Sequence, residues 1–410
     1  MKPEMIREIL DRTDMVRTSG SAEEKSTAEY LKSLCEAYGA AAHLESFDVD
    51  LAEIREAKLT ADGREIPCKG YALCGSGEIE APLLYLPNTD PASVSQALGK
   101  IVLLDTGITH WVYQDLLDAG AAGFITYDGD VHYADRDIDQ KKLRPHVSKG
   151  RKALCVNIHA KDAFELVRTA PERVSIRVGQ TETVGTSRNV IAEIPGRTDE
   201  WIILSAHYDT TPLSHGAYDN MSGCIGLLGI LEALREKAPL HYGLRFVFCG
   251  SEEVGLLGSK AYAAAHEKEL AKAVLNINLD MIGTYMGRFI ACVSAEEKLV
   301  HYLEYLCAIR GWGLSARQDV YSSDSTPFAD HGVPALSFAR MAPRSQATIH
   351  NRYDTKALLS EEQLQADIGF LADFTLSMAD AVKCPVSREI PENIKTRLDE
   401  HLLRKRKKEN

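Results

Sequence analysis

The chain has 410 residues, of which 45% are hydrophobic and 26% are charged, a composition typical of a globular protein with two or three domains. Its formal net charge of −12 argues against nucleic acid and anionic membrane as partners. Charges interrupt the apolar runs of the first twenty residues, and the nine cysteines are scattered. No stretch has the roughly 18 apolar residues of a membrane helix. We therefore expect a cytoplasmic protein with reduced thiols, without a signal peptide or a transmembrane segment.

The first predicted elements are two helices, over residues 3–17 and 21–38. The second helix opens with Ser21-x-x-Glu24, which is the pattern of a capping box, and it ends at Gly39. Its apolar residues recur every three or four positions, so they would form one stripe along the helix surface.

Residues 59–181 form a distinct region, because they are richer in turn sequences than the chain on either side. The region contains GKIVLLDTG at 99–107, a predicted helix at 111–119, AGAAGFITYD at 119–128 and a predicted strand in ALCVNIHA. We interpret it as a smaller, β-rich insert domain, either a lid over a catalytic cleft or a passive packing domain. The main domain would then consist of residues 1–58 and 182–410.

From about residue 182 onward, apolar runs typical of buried strands alternate with helical patterns. The predicted strands are 201–206, 244–249, 273–279 and 333–339. The predicted helices are 223–237, 256–270 and one from Ser360 to about residue 383. This alternation predicts an α/β fold, with a mixed, mostly parallel sheet and helices on both faces.

Histidines and acidic residues follow successive predicted strands at the point where each strand ends. In chain order these candidate residues are His207, Asp209, Asp219, Glu252, Glu253, Asp280 and His350. Each has an ordinary explanation when taken alone; for example, an Asp before a helix is usually an N-cap. Because the carboxyl ends of parallel strands meet at one edge of a sheet, the residues together predict a shared site.

The residue types at these strand ends favour zinc, which binds both imidazole nitrogen and carboxylate oxygen. His207 would be a ligand, and Asp209 would accept a hydrogen bond from the other ring nitrogen of that imidazole. Asp219 could bridge two ions. Of the adjacent pair Glu252 and Glu253, one would bind metal while the other acts as a general base. The sequence therefore predicts a two-metal hydrolytic site.

At these motifs the chain resembles the two-zinc aminopeptidases related to glutamate carboxypeptidase II and the transferrin receptor. The matching stretches are SAHYDT, GAYDNMSG, SEEVGLLGS, NLDMIG, SSDSTPFADHGVPAL and TIHNRYDT. RTSGSAEEKSTAEYL resembles the N-terminal helix of the family, and residues 59–181 resemble its protease-associated domain. The resemblance implies the zinc exopeptidase fold and two Zn²⁺ ions per chain.

The resemblance also implies a role for each ligand. One zinc would take His207 and Asp280, the other would take Glu253 and His350, and Asp219 would bridge the two ions.

The remaining site residues receive roles from the same resemblance. Glu252 would be the general base and Asp209 would orient the first histidine. A cis peptide bond is expected between Asp219 and Asn220. Some relatives stabilise the oxyanion with a tyrosine, for which Tyr321 and Tyr285 are the candidates here.

The sequence departs from the family at two places near the site. The family often has Ser-Asp-His before Pro-Phe, whereas this chain has a serine, Ser325, after Asp324. Ile349 precedes the last histidine where an aromatic residue is common. Both departures bear on substrate preference, which the sequence leaves open.

We expect an exopeptidase, and the motifs favour an aminopeptidase that hydrolyses N-terminal residues from peptides. A carboxypeptidase or dipeptidase on the same fold would need a cation for the substrate carboxylate, and Arg340, Arg344 and Arg352 are candidates. A glutaminyl cyclase would use a single zinc. A non-catalytic, receptor-like scaffold is disfavoured, because buried carboxylates without a use are costly. Whether the chain forms a homo-oligomer is left open.

Overall fold

A computed structural model describes residues 1–105, 107–132, 138–343 and 346–407. The chain divides into two compact units. The first unit consists of Met1–Val49 and Thr186–Asn410, and the second consists of Asp50–Gly185.

Fifteen strands are present in the described part of the chain. In chain order they are β1 (Ala41–Ala61), β2 (Arg64–Ile66), β3 (Cys68–Gly70), β4 (Gly77–Ala81), β5 (Leu83–Leu86), β6 (Ile101–Leu104), β7 (Gly123–Asp128), β8 (Cys155–His159), β9 (Val174–Ile194), β10 (Trp201–His207), β11 (Gly243–Cys249), β12 (Ala273–Leu279), β13 (Arg288–Ser294), β14 (Ser315–Gln318) and β15 (Ala335–Met341).

Thirteen α-helices are also present in the described part of the chain. They are α1 (Pro3–Arg12), α2 (Ala22–Ala37), α3 (Pro91–Val94), α4 (His110–Asp118), α5 (Pro145–Ser148), α6 (Ala160–Thr169), α7 (Ser222–Leu234), α8 (Leu257–Ala265), α9 (Glu267–Leu270), α10 (Lys298–Arg310), α11 (Ser325–Asp330), α12 (Glu361–Ala379) and α13 (Glu392–His401).

The first unit contains a mixed sheet in the order β14-β13-β15-β12-β10-β11-β9, with β1 beyond β9. Neighbours β11, β10, β12 and β15 run parallel, whereas β13 is antiparallel to β15 and β9 is antiparallel to β11. The predicted α/β class with a mostly parallel central sheet is therefore confirmed.

Both faces of this sheet are covered. In β10, Ile202 and Leu204 belong to a large apolar core that also contains residues of α1, α2, α7, α10 and α12. The intervening Ile203 belongs to a second core with Tyr262 of α8 and Phe328 of α11. Because successive strand side chains point to opposite faces, the two cores lie on opposite sides of the sheet, as predicted.

The predicted strands and helices of this unit agree with the structure to within a few residues, except for the first helix. That helix ends at Arg12 rather than at residue 17, because the chain turns inward there and buries Arg17. The capping box of α2 is present: the Ser21 side chain accepts a hydrogen bond from the Glu24 backbone N–H at 3.0 Å. The Glu24 carboxylate accepts from the backbone N–H of Gly20 instead of Ser21.

The second unit has its own sheet in the order β3-β8-β7-β6-β5, in which β5 to β8 are parallel. A separate apolar core includes residues of these strands and of helices α4 and α6. The boundaries between the units fall inside β1 and β9, each 21 residues long. The boundaries predicted from the sequence, after residues 58 and 181, fall in the same two strands, which the sequence analysis did not recognise.

One further property concerns membranes. Among the described residues, no helix is both long enough and apolar enough to cross a bilayer.

A close backbone approach beside α7 gives a test of the fold. A Cβ at Gly223 would lie 2.5 Å from both Asn220 Oδ1 and the Leu279 carbonyl oxygen. We predict that Gly223→Ala lowers the free energy of unfolding by about 1–3 kcal/mol through overpacking. Gly369 of α12 has open space around it, so Gly369→Ala should raise the free energy of unfolding by up to about 1 kcal/mol. Urea denaturation measures the free energy of unfolding of both variants. Equal values for the two variants would contradict the close approach at Gly223.

Candidate metal centre

The register of the central strands brings the predicted ligands to one edge of the sheet. His207 at the end of β10 pairs with Cys249 at the end of β11, so the segment after β11 begins at the same level. On the other side Ser205 pairs with Asn278 of β12, which places Asp280 level with His207. Three strand ends therefore deliver their polar side chains to one place.

The first ligand group consists of His207, Asp219 and Asp280. The Nε2 atom of His207 lies 3.1 Å from Asp219 Oδ1 and 3.9 Å from Asp280 Oδ1. All three side chains are buried, and each offers a ligand atom within 4.8 Å of the others. This spacing allows one cation to be bound by all three.

The second ligand group consists of Asp219, Glu253 and His350. The Nε2 atom of His350 lies 3.1 Å from Asp219 Oδ2 and 3.2 Å from Glu253 Oε2. Asp219 thus uses one carboxylate oxygen in each group, as a bridging ligand would. The side chain of His350 is 47% exposed, so this group is the one open to solvent.

The chemistry of these donors fits zinc. Each group combines one imidazole nitrogen with two carboxylates, which are the N and O donors that Zn²⁺ accepts. The Oδ1 atom of Asp280 is buried and has no hydrogen-bond partner among the described residues, an arrangement that is costly for a carboxylate unless a cation is bound. The groups match the two ligand sets that the resemblance implied.

The excess of carboxylates controls the charge of the site. Burial raises the pKa of Asp280 to about 6, and the neighbouring charge of Asp219 adds to this. Although burial alone would lower it, hydrogen bonds to Asp219 and Glu253 raise the pKa of His350 to about 11. Burial likewise opposes a charge on His207, yet the surrounding carboxylates hold its pKa well above the usual value. The site therefore favours positive charge, whether on imidazoles or on bound cations.

Asp209 connects two of the loops that carry the site. Its two carboxylate oxygens accept the backbone N–H groups of Glu252 at 2.8 Å and Glu253 at 3.1 Å. The Nδ1 atom of His207 lies 3.6 Å from Asp209 Oδ1, which is longer than a hydrogen bond, and 3.3 Å from the Asp209 carbonyl oxygen. Asp209 therefore fixes the acidic pair more directly than it fixes the imidazole.

Asp354 has a structural role that the sequence analysis did not assign, although its motif was noted. Its buried carboxylate accepts the backbone N–H groups of Tyr218 at 2.8 Å and Asp219 at 3.0 Å. These bonds hold the turn that presents the bridging carboxylate. The peptide bond between Asp219 and Asn220 is cis, as expected. The Asn220 side chain accepts the backbone N–H of Met281 at 3.0 Å, which joins this turn to the end of β12.

The two candidate tyrosines differ in their surroundings. Burial raises the pKa of Tyr321, and the charges of Asp280 and Asp219 add to the effect, which places its hydroxyl in the field of the metal ligands. Tyr285 is 63% exposed. Tyr321 is therefore the better candidate for a contact with substrate.

The arginines that could bind a substrate carboxylate in a carboxypeptidase differ in their surroundings. Arg340 donates two hydrogen bonds to the buried carboxylate of Asp367, at 2.5 and 2.9 Å, and it lies over the ring of Phe289. Its guanidinium is therefore bound within the protein. Arg352 is exposed, and Arg344 lies outside the described residues.

Comparison with known proteins relates the part of the chain that carries the site to a known family. The model of peptidase family M28 matches residues 189–373, which include all five residues of the two ligand groups. Aminopeptidase YwaD of Bacillus subtilis is 26% identical over 368 residues, which cover 85% of this chain and 78% of that protein. The part of the chain that carries the site thus matches peptidase family M28. Leucine aminopeptidase 2 of Trichophyton rubrum is 30% identical over 281 residues, covering 65% of this chain and 55% of the fungal protein.

Solved structures support the same fold. The aminopeptidase from Aneurinibacillus sp. strain AM-1 superimposes with a TM-score of 0.76 at 24% identity, covering 94% of this chain and 96% of that one. A zinc aminopeptidase from Bacillus subtilis gives a TM-score of 0.77 at 23% identity, covering 95% and 99%. The zinc exopeptidase fold predicted from the sequence is thus confirmed.

Because the two adjacent glutamates have different surroundings, we predict that substituting each of them has a different effect. Glu252→Gln should leave metal content nearly unchanged but lower kcat by at least about 100-fold, because a proton acceptor is lost. Glu253→Gln should instead lower the metal content, since Glu253 belongs to a ligand group. Metal analysis by mass spectrometry and steady-state kinetics separate the two effects. Exchanged phenotypes would show that the roles are reversed.

Proposed function

We propose that this protein is a zinc-dependent aminopeptidase that removes N-terminal residues from peptides. The observation that carries the proposal is the pair of ligand groups sharing Asp219, with Glu252 adjacent to one of them but a member of neither. Such a site has the ligands for two ions and a separate carboxylate for proton transfer. A single-zinc cyclase would have no use for the second group.

When bound, the two ions would polarise the scissile carbonyl and acidify water. The protein supplies the proton transfers. Burial raises the pKa of Glu252 well above its usual range, and the charge of Glu253 adds to this, so its carboxylate is a stronger base than an exposed glutamate. Glu252 would take the proton from water and pass it to the leaving amine. Asp209 keeps it in place through the backbone N–H bond.

Two observations support cleavage at the N-terminal end of peptides. Relatives from Bacillus subtilis and Trichophyton rubrum are named as aminopeptidases. The acidic surroundings of the ligand groups favour a substrate ammonium group and oppose a substrate carboxylate. Arg340, a cation that a carboxypeptidase could have used, is bound to Asp367.

Paired substrates test this specificity. The protein, freed of metal by a chelator and reloaded with zinc, should hydrolyse aminoacyl p-nitroanilides with a free amino group. N-acetylated versions of the same compounds should react at least about 100-fold more slowly, because acetylation removes a charged hydrogen-bonding group. Glu252→Gln is the control for contaminating peptidases. Equal rates on blocked and free substrates, or hydrolysis at the carboxyl end of peptides, would contradict an aminopeptidase.

We also propose a cytoplasmic location. The support is the set of nine cysteines, which are all free, and eight of them are buried. Burial raises the pKa of a thiol such as Cys155 and makes it unreactive. Protein isolated without reductant and then denatured should titrate as nine free thiols. A lower count would show cysteine oxidation and argue for an oxidising compartment.

A further inference from the structure

Arg17 is a completely buried cation, and within the described residues its guanidinium donates hydrogen bonds to backbone carbonyl oxygens. Its side chain is 0% exposed. The guanidinium donates to five carbonyl oxygens, those of Thr13 at 2.6 Å, Met15 at 2.9 Å, Tyr208 at 2.8 Å, His215 at 2.7 Å and Gly216 at 3.1 Å. Three of these bonds come from Nη1, which has two N–H groups, so at least one of its N–H groups is shared between two oxygens. The planar shape of the guanidinium fixes the directions of its donors.

The backbone of Arg17 is tied to the same segment. Its N–H donates to Thr210 Oγ1 at 2.9 Å, and its carbonyl accepts the Thr210 N–H at 3.1 Å. Gly216 also packs closely against Thr210 and Arg17. A Cβ at Gly216 would lie 2.3 Å from Thr210 Cγ2 and 3.1 Å from Arg17 Nη2.

The segment held in this way is the connection between two metal ligands. Residues 208–216 begin directly after His207, contain Asp209, and end three residues before Asp219. His207 is anchored in a strand, whereas Asp219 follows an irregular stretch with no strand partner. A shift of this stretch would move the one carboxylate that both ligand groups share.

The surroundings of Arg17 explain why an arginine is needed. A buried cation is normally paired with a carboxylate, but no ion pair of Arg17 within 4.0 Å occurs among the described residues. The charges of Asp209 and Asp354 favour its protonated form from a greater distance, although burial lowers the pKa of Arg17 to about 10. It therefore stays protonated at neutral pH. A lysine has one ammonium group and cannot reach carbonyls on several sides.

We propose that Arg17 is a positioning residue of the metal centre, which holds segment 208–216 so that His207 and Asp219 bind the same ion. This inference rests on the proposed two-metal function. A purely structural arginine would affect stability alone, whereas a positioning residue would affect metal affinity in protein that is still folded.

The test compares Arg17 with a second buried arginine. Arg245 is 8% exposed and is bound by Glu193, Glu269 and Tyr262. It lies near the amino end of β11, the opposite end from the metal ligands. Arg17→Lys, Arg17→Met and Arg245→Met are prepared, and their folding is verified by circular dichroism. Zinc affinity is measured by competition with a chromogenic chelator, and the visible absorption of the cobalt-loaded protein reports ligand geometry.

Both Arg17 variants should lose zinc affinity by about 10- to 100-fold and show an altered cobalt spectrum, the scale seen when a residue that orients ligands is removed. Arg245→Met should lower thermal stability while keeping zinc affinity within about twofold of the native value, because distant sites act independently. If folded Arg17 variants bind zinc as tightly as the native protein does, the inference is overturned.

A milder variant covers the case in which the Arg17 variants do not fold. Thr210→Val keeps the side-chain shape and removes only the hydrogen bond from the Arg17 N–H. It should weaken zinc binding in the same direction but less, and native affinity in this variant would also overturn the inference. These measurements use no substrate. Native protein that binds two ions without cleaving peptides would therefore refute the aminopeptidase proposal and leave the positioning role standing.

Discussion

The carboxylate of Asp219 is the contact on which the site depends. One of its oxygens lies 3.1 Å from the His207 imidazole, and the other lies 3.1 Å from the His350 imidazole. These hydrogen bonds lower its pKa even though burial acts in the opposite direction. Two groups of ligands contributed by distant parts of the chain become one centre only because this side chain belongs to both. Its position must therefore be fixed from several sides.

Carboxylates and an amide that bind backbone groups provide that support. Asp354 accepts two N–H groups of the turn at Asp219, and Asn220 joins this turn to the end of β12. Asp209 accepts the two N–H groups of the acidic pair after β11. Each bond links one ligand-bearing loop to another. The sheet places the strand ends, and these cross-links set the finer spacing that metal binding needs.

The candidate ligands could be recognised in the sequence because each lies beside a strand end or within a motif. His207 and Asp280 follow apolar runs whose parallel pairing brings them level. The supporting residues could not be predicted in the same way. Arg17 and Asp354 bind backbone atoms, which every residue has, so no partner residue type appears in the sequence. Their burial is a tertiary property that periodicity does not reveal.

Some elements of the fold could likewise be predicted from the sequence, and others could not. Buried strands such as β10 and β12 were predicted because most of their residues are apolar. The long strands β1 and β9 were missed because exposed and partly exposed residues interrupt their apolar positions, so their pattern resembles a loop. The helices α10 and α13 were also missed; each buries only a few side chains, so its apolar stripe is narrow.

The electrostatics of the site connect its function to its stability. Burial raises the pKa of Asp280, of Glu253 and of Asp354, so these carboxylates are costly to keep charged in the folded protein. Bound cations would offset that cost, and metal binding would then stabilise the fold as well as supply the chemistry. The apolar cores cover both faces of the sheet and extend to the strand ends. The fold can thus carry an unfavourable cluster of charge at one edge of the sheet.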